Sequence, residues 1–278
     1  MPGGTYFRTY TNSGTGATGL ADSATVSGFR LDKYLVTVGR FRQFLNALFP
    51  PDGGAGWLPA AGDGKHTHLN GGNGLNATTG DYEPGWIATD DSNIAPTDAN
   101  LVLCSDWTPS AGTQENLPID CVNWYESYAF CIWDGGFLPS EAEWEYAAAG
   151  GNRQLEYPWG ATDPGTGSAY AIYSCYYPPG SVDCTGLKIA PVGTATLGAG
   201  LWGQLDLVGD LWEWTLDDTG NGAYADPCTD CTNTMTNYSH SRVRRGGSFV
   251  DIEKNLLMRN QASATERQFG GLRCARSP

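Results

Sequence analysis

Lysine is almost missing from this chain: four of its 278 residues are lysine, against twelve arginines and thirty acidic side chains, for a formal charge of −14. The only basic cluster is Arg242, Arg244 and Arg245. It is too short to track a phosphate backbone, which argues against a nucleic-acid partner. Apolar runs are cut by Gly, Pro or Asn before they reach the roughly 18 residues that a membrane-spanning helix needs. The opening "MPGGTYF" has no apolar stretch of signal-peptide type. Histidine occurs only at 66, 68 and 240, so an all-imidazole metal centre would need all three at once. No segment repeats at a fixed period, which excludes a solenoid or propeller.

What is abundant describes an irregular fold. Thirty-eight glycines, ten tryptophans and fourteen tyrosines imply tight turns and loops pinned by large rings. The preference for arginine over lysine suits cations that make bidentate or stacked contacts within the fold. Eight cysteines in an acidic chain point to a disulfide set and an oxidising compartment, extracellular or periplasmic, with a leader or upstream domain expected to have been removed. Short loops favour Cys175–Cys184 and Cys228–Cys231, and the remaining connectivity stays open. A loop staple is the ordinary reading of "DPCTDCTN", because no second Cys-x-x-Cys accompanies it.

Local signals place three helices. "TVSGFRLDKYLVT" alternates as a strand and leads to Thr37, an N-cap for "VGRFRQFLNALF", in which Val38, Phe41, Phe44, Leu45 and Leu48 share a face. Asn123 with Glu126, and Ser140 with Glu143, have the spacing of capping boxes; Gly135 ends the first of these helices and Gly150-Gly151 the second. Residues 53–116 lack periodicity, but Trp57, Trp86 and Trp107 mark them as ordered loops. Beyond Tyr157, aromatic segments punctuated by glycine read as brief strands, "YPWG" and "AIYSCYY" among them.

"LPIDCVNWYESYAFCIWDGGFLPSEAEWEYAAAGG", "YPWG", "LVGDLWEWTLDD", "RVRRGGSF" and "GLRCAR", in that order, resemble the formylglycine-generating enzyme and sulfatase-modifying-factor family. With "PGGTY" and "FRLDKYLVTVGRFRQFL" the resemblance covers nearly the whole chain, residues 1–278, as one domain. It implies an α+β fold, a loop-rich variant of the C-type lectin fold with a small twisted sheet and a few surface helices. It also implies a Cys131–Cys274 bridge, which leaves Cys104 with Cys121.

The family oxidises a substrate cysteine to formylglycine with dioxygen, using two cysteines that bind copper(I) just after the Arg-Gly-Gly-Ser segment. The matching positions here are Asp251 and Leu256. Soft thiolates suit copper(I) and hard oxygen does not, so neither copper nor that reaction is expected. The resemblance implies calcium at Asp210 and Glu213 in "VGDLWEW", where Asp in place of the family's Asn keeps a hard oxygen donor; otherwise Asp210 closes a turn and Glu213 meets an arginine. "KHTHL" would put His66 and His68 on one strand face, although a polar loop is its plainer reading. Arg244, Arg245, Arg259 and Arg273 are expected to satisfy loop carbonyls and carboxylates.

Three functions fit these residues. The first is a binding module for a protein, peptide or glycan that keeps the fold without the oxidase centre, with residues 250–270 on the surface that related diversified receptors vary. The second is an oxidoreductase with an altered metal site drawing on Asp251, Glu253 or the histidines. The third is a structural subunit of an extracellular assembly.

Overall fold

Thr37 accepts a hydrogen bond from the Arg40 amide and starts helix α1, Val38–Leu48, whose Val38, Phe41, Phe44 and Leu48 are buried. The computed structural model describes residues 1–77, 81–104, 106–181, 183–186, 189–220, 222–234, 241–256 and 259–278. Helix α2, Asp98–Leu101, is a single turn capped by Thr97. Helices α3, Trp124–Trp133, and α4, Glu141–Ala148, both open with complete capping boxes, Asn123 with Glu126 and Ser140 with Glu143. Each box satisfies amides that a helix start otherwise leaves unpaired. Both helices are buried on nearly every side, so their short lengths are held by packing more than by propensity.

The strands in chain order are β1 Gly4–Thr11, β2 Thr18–Val26, β3 Arg30–Leu31, β4 Asn76–Ala77, β5 Trp212–Asp218, β6 Cys228–Thr229, β7 Cys231–Thr232, β8 Ser241–Arg245, β9 Asn260–Ser263, β10 Gly270–Gly271 and β11 Ala275–Arg276. The central sheet runs β10-β5-β8-β9, with β10 parallel to β5 and the other pairs antiparallel. A second mixed sheet, β1-β2-β6, carries the N-terminal hairpin. These small mixed sheets with few helices are the α+β, loop-rich arrangement that the sequence implied.

Two expectations are corrected. The strand over "TVSGFRLDKYLVT" does not run through: β2 ends at Val26, β3 holds two residues, and the rest pairs piecemeal, Asp32 N–H with Cys274 O and Val36 N–H with Leu272 O. "YPWG" and "AIYSCYY" form single bridges only, and left-handed Ser174 and Cys175 (φ 47° and 57°) break the second. Among the described residues of 53–116, tryptophans anchor the loops, as expected. Trp86 and Trp107 are buried, their indole N–H groups donating to Asp91 and Asp98 at 2.8 and 2.9 Å.

The main core joins α1 and α3 through Phe41, Phe44 and Phe130, with Trp214 of β5 beside them. All eight cysteines are bridged: Cys104–Cys121, Cys131–Cys274, Cys175–Cys184 and Cys228–Cys231, with Cα separations of 5.1 to 5.7 Å.

Candidate functional site

Strand β8 delivers the chain to Gly246 and Gly247, both left-handed (φ 98° and 74°). A Cβ on Gly246 would lie 2.8 Å from the Leu207 carbonyl oxygen, and one on Gly247 3.1 Å from the Leu256 Cα. Only glycine permits this doubled turn. Ser248 follows, fully buried, and both its amide and its hydroxyl donate to Asp251 Oδ2, at 2.9 and 2.5 Å. Asn255 Nδ2 donates to the other Asp251 oxygen at 3.0 Å. Leu256 is fully buried against Ala171, Tyr173 and Val208. Of the two positions that match the family's thiolates, one ties off the turn through its carboxylate and the other plugs the core.

Around this segment lies an aromatic face. The Tyr157 and Trp159 rings stack at 4.9 Å with planes 3° apart, and Tyr170 meets Trp159 at 5.3 Å. Tyr157 Oη donates to Glu253 Oε1 at 2.6 Å. Burial, then this bond and the charges of Glu253, Glu156 and Asp163, push the Tyr157 phenol well above its usual range. The Tyr173 phenol is pushed up to about 12 by burial and then by Glu253. Among the described residues no ion pair engages Glu156, Asp163 or Glu253. Asp251 and Glu253, candidate donors for an altered metal site, hold separate partners.

Leu256 also walls a cavity of about 220 Å³ bordered by Arg8, Tyr10, Trp144, Glu145 and Arg245. Arg245 Nη2 lies 2.8 Å from Glu145 Oε1, and its guanidinium sits over Trp144. Burial raises the Glu145 carboxyl to about 7 against the opposing pull of Arg245.

The expected calcium pair is split. Glu213 is fully buried, and its carboxylate accepts from Arg273 Nε and Nη2 at 2.6 and 2.7 Å and from Trp144 Nε1 at 2.8 Å. Its oxygens are committed to an ion pair. Asp210 Oδ1 accepts the Ala190 amide at 2.9 Å, while Oδ2 is buried without a hydrogen-bond partner. Burial, and then Asp206, push its carboxyl well above the ordinary range. Asp210 therefore has a free hard donor and Glu213 has none.

His66 corrects the polar-loop reading of "KHTHL". It is fully buried, with Nδ1 2.9 Å from Glu83 Oε2 and Nε2 2.9 Å from Glu143 Oε2. Burial opposes the charged ring, but Glu143 and Glu83 outweigh it and raise the imidazole to about 10. His66 is thus an imidazolium that joins Glu83 to Glu143 at the start of α4, with both nitrogens occupied. His68 stacks on Phe137 and approaches the Ser277 hydroxyl at 3.2 Å; burial lowers its pKa. His240 lies outside the described residues. The arginines hold loops together: Arg259 meets Glu141 at 2.7 Å, Arg244 reaches the Gln268 carbonyl at 2.9 Å, and Arg273 joins Glu213 to the carbonyls of Asp32, Lys33, Leu205 and Asp206.

Comparison with known proteins agrees with this architecture. The formylglycine-generating enzyme of Thermomonospora curvata is 28% identical over 267 residues, 91% of this chain and 83% of that protein. A bovine (Bos taurus) protein named inactive C-alpha-formylglycine-generating enzyme 2 is 36% identical over 110 residues, 38% of this chain and 36% of its own. The chain spans under half the length of the mammalian formylglycine-generating enzymes that it matches. The structure of PvdO from Pseudomonas aeruginosa superposes with a TM-score of 0.60 at 20% identity, covering 100% of this chain and 93% of that one, and carries the same formylglycine-generating-enzyme-like fold. The sulfatase-modifying factor enzyme 1-like domain profile matches residues 1–278, and the chain belongs to that family.

Proposed function

We propose that this chain is a recognition domain of an oxidising compartment, holding a protein or peptide segment where its family carries out thiol oxidation. The reading is carried by Asp251 and Leu256: neither can supply a soft ligand, and no cysteine elsewhere is free. A relative named inactive is in keeping with loss of catalysis. The four disulfides fit an extracytoplasmic setting, and no helix among the described residues is long and apolar enough to cross a membrane. Stacked rings fringed by Glu156, Asp163 and Glu253 favour a cationic segment, because the negative face of an aromatic ring attracts ammonium and guanidinium groups.

Two measurements test this. In an oxygen electrode with copper(I) and a cysteine-containing peptide, uptake should equal that of the peptide and copper alone; turnover above that blank would sink the reading. In calorimetry a hexa-arginine peptide should bind and a hexa-glutamate peptide should not, with Glu253→Gln weakening the former severalfold. Equal binding of the two peptides would refute the assigned face. The altered oxidoreductase has less support, because both oxygens of Asp251, Oε1 of Glu253 and both nitrogens of His66 already have partners.

We also infer that calcium binds at Asp210, whose orphaned Oδ2 would be a hard ligand alongside main-chain carbonyls. A ligand present at a hundred times its dissociation constant stabilises by about 2.7 kcal/mol. EGTA should therefore lower Tm by several degrees in the wild type and leave Asp210→Ala unchanged. Equal responses of the two proteins would remove Asp210 from the site.

A further inference from the structure

A second groove, formed by other segments than the 157–176 face, lies where α4 ends. Gly150 and Gly151 take left-handed conformations (φ 64° and 63°) and turn the chain back over its own helix. Their role is steric as well as conformational: a Cβ on Gly151 would come within 3.1 Å of Tyr146 and 3.2 Å of Trp202, and one on Gly4 within 2.7 Å of Tyr146 Oη. Glycine at these positions brings the backbone flush with the two rings. Tyr146 and Trp202 stack at 5.3 Å with planes 19° apart, and Tyr146 Oη donates to the Pro2 carbonyl at 3.2 Å. Tyr146 is buried and Trp202 half-buried, so the indole is backed by a fixed ring and lines the groove.

The groove has a volume of about 370 Å³, within the roughly 300–1,000 Å³ of small-molecule sites. Asn152 and Arg153 stand exposed at its rim, and Leu201 continues the apolar side. Arg153 is the one charged side chain lining it among the described residues, and no carboxylate there engages it. On a chain of charge −14, an acid-free groove with a free guanidinium selects an anion in its immediate surroundings. An aromatic floor with amide and guanidinium groups at the rim matches a ligand with one apolar face and a polar edge. A pyranose ring has that form: its axial C–H hydrogens carry partial positive charge toward the ring face, and its hydroxyls point to the rim. A ring carboxylate would take Arg153 in a charge-assisted fork.

We propose that this groove binds an anionic saccharide, a pyranose stacked on Trp202 with its carboxylate on Arg153. The site is independent of the peptide reading above, and either can fail without the other. The test is calorimetry with trigalacturonate, its methyl ester and free galacturonate against wild type, Arg153→Ala, Trp202→Ala and Trp202→Phe. Trigalacturonate should bind wild type and lose about tenfold in Arg153→Ala, as loss of one charge-assisted contact implies. The ester should bind wild type and Arg153→Ala alike, Trp202→Ala should abolish both ligands, and Trp202→Phe should retain part of the affinity. Free galacturonate matching the trimer would support a one-sugar site of the same chemistry, and weaker binding of the monomer a site for chain segments. Equal affinity for acid and ester in wild type overturns the anionic assignment. No binding at millimolar saccharide, or full affinity in Trp202→Ala, overturns the site.

Discussion

Arg273→Met is expected to lower unfolding stability by about 3–5 kcal/mol, the cost of removing one partner from a buried ion pair. Arg273 is fully buried, and its guanidinium serves Glu213 and four carbonyls from two chain segments, Asp32 and Lys33 before α1 and Leu205 and Asp206 before β5. Methionine fills much of the space and supplies none of the donors, so Glu213 would keep only the Trp144 indole. The double variant Arg273→Met/Glu213→Gln separates the two losses. It relieves the unpaired carboxylate and leaves the orphaned carbonyls, so it should recover part of the deficit but not all. Denaturant titration without reductant measures each midpoint at constant m. A single variant within 1 kcal/mol of wild type would show that solvent replaces the guanidinium, contrary to the burial of the pair.

Features set by neighbouring residues were legible in the sequence. Thr37, Asn123 and Ser140 announce their helices because a cap is satisfied within four residues of chain. Short loops marked Cys175–Cys184 and Cys228–Cys231, whereas Cys131–Cys274 could be expected only from family resemblance. The hairpin of β1 and β2 went unread because β2 is exposed over its first half, and alternation shows only where one face is covered. The same physics misplaced the strand over "TVSGFRLDKYLVT", whose partners are single carbonyls of the C-terminal segment. Candidate-site residues followed this division. Asp251 and Leu256 were readable by position after Arg-Gly-Gly-Ser, although their roles in the turn and the core were not. His66 had no local signal at all, since its two carboxylates stand 17 and 77 residues away.

Those two carboxylates set the second large effect. His66→Leu should cost about 3–5 kcal/mol at pH 7 by leaving Glu83 and Glu143 charged and unpaired in the interior. The ring is enclosed by Glu83, Glu143, the tilted Phe137 ring at 3.7 Å and the neighbouring His68. Because its folded pKa, about 10, lies above the 6.5 of an ordinary imidazole, its contribution is fully present below about pH 6.5 and lost as pH rises through about 10. In that window the native state holds a proton that the unfolded chain has released, so stability falls with pH. The buried carboxyls act in the same direction lower on the scale. Burial lifts Asp106 and Asp217 to about 6 and Glu145 to about 7, so the native state again holds more protons than the unfolded chain between about pH 4 and 7. Stability should therefore decline from about pH 5 to pH 10, against the common optimum between about pH 5 and 8. His66→Leu should flatten the upper part of that decline and leave the lower part intact. Thermal unfolding at pH 5, 7 and 9 reads both arms, and a wild-type Tm that rises between pH 5 and 7 would contradict the carboxyl argument. If the wild type and His66→Leu lose equal stability between pH 7 and 9, the buried imidazolium is not what the upper arm reports.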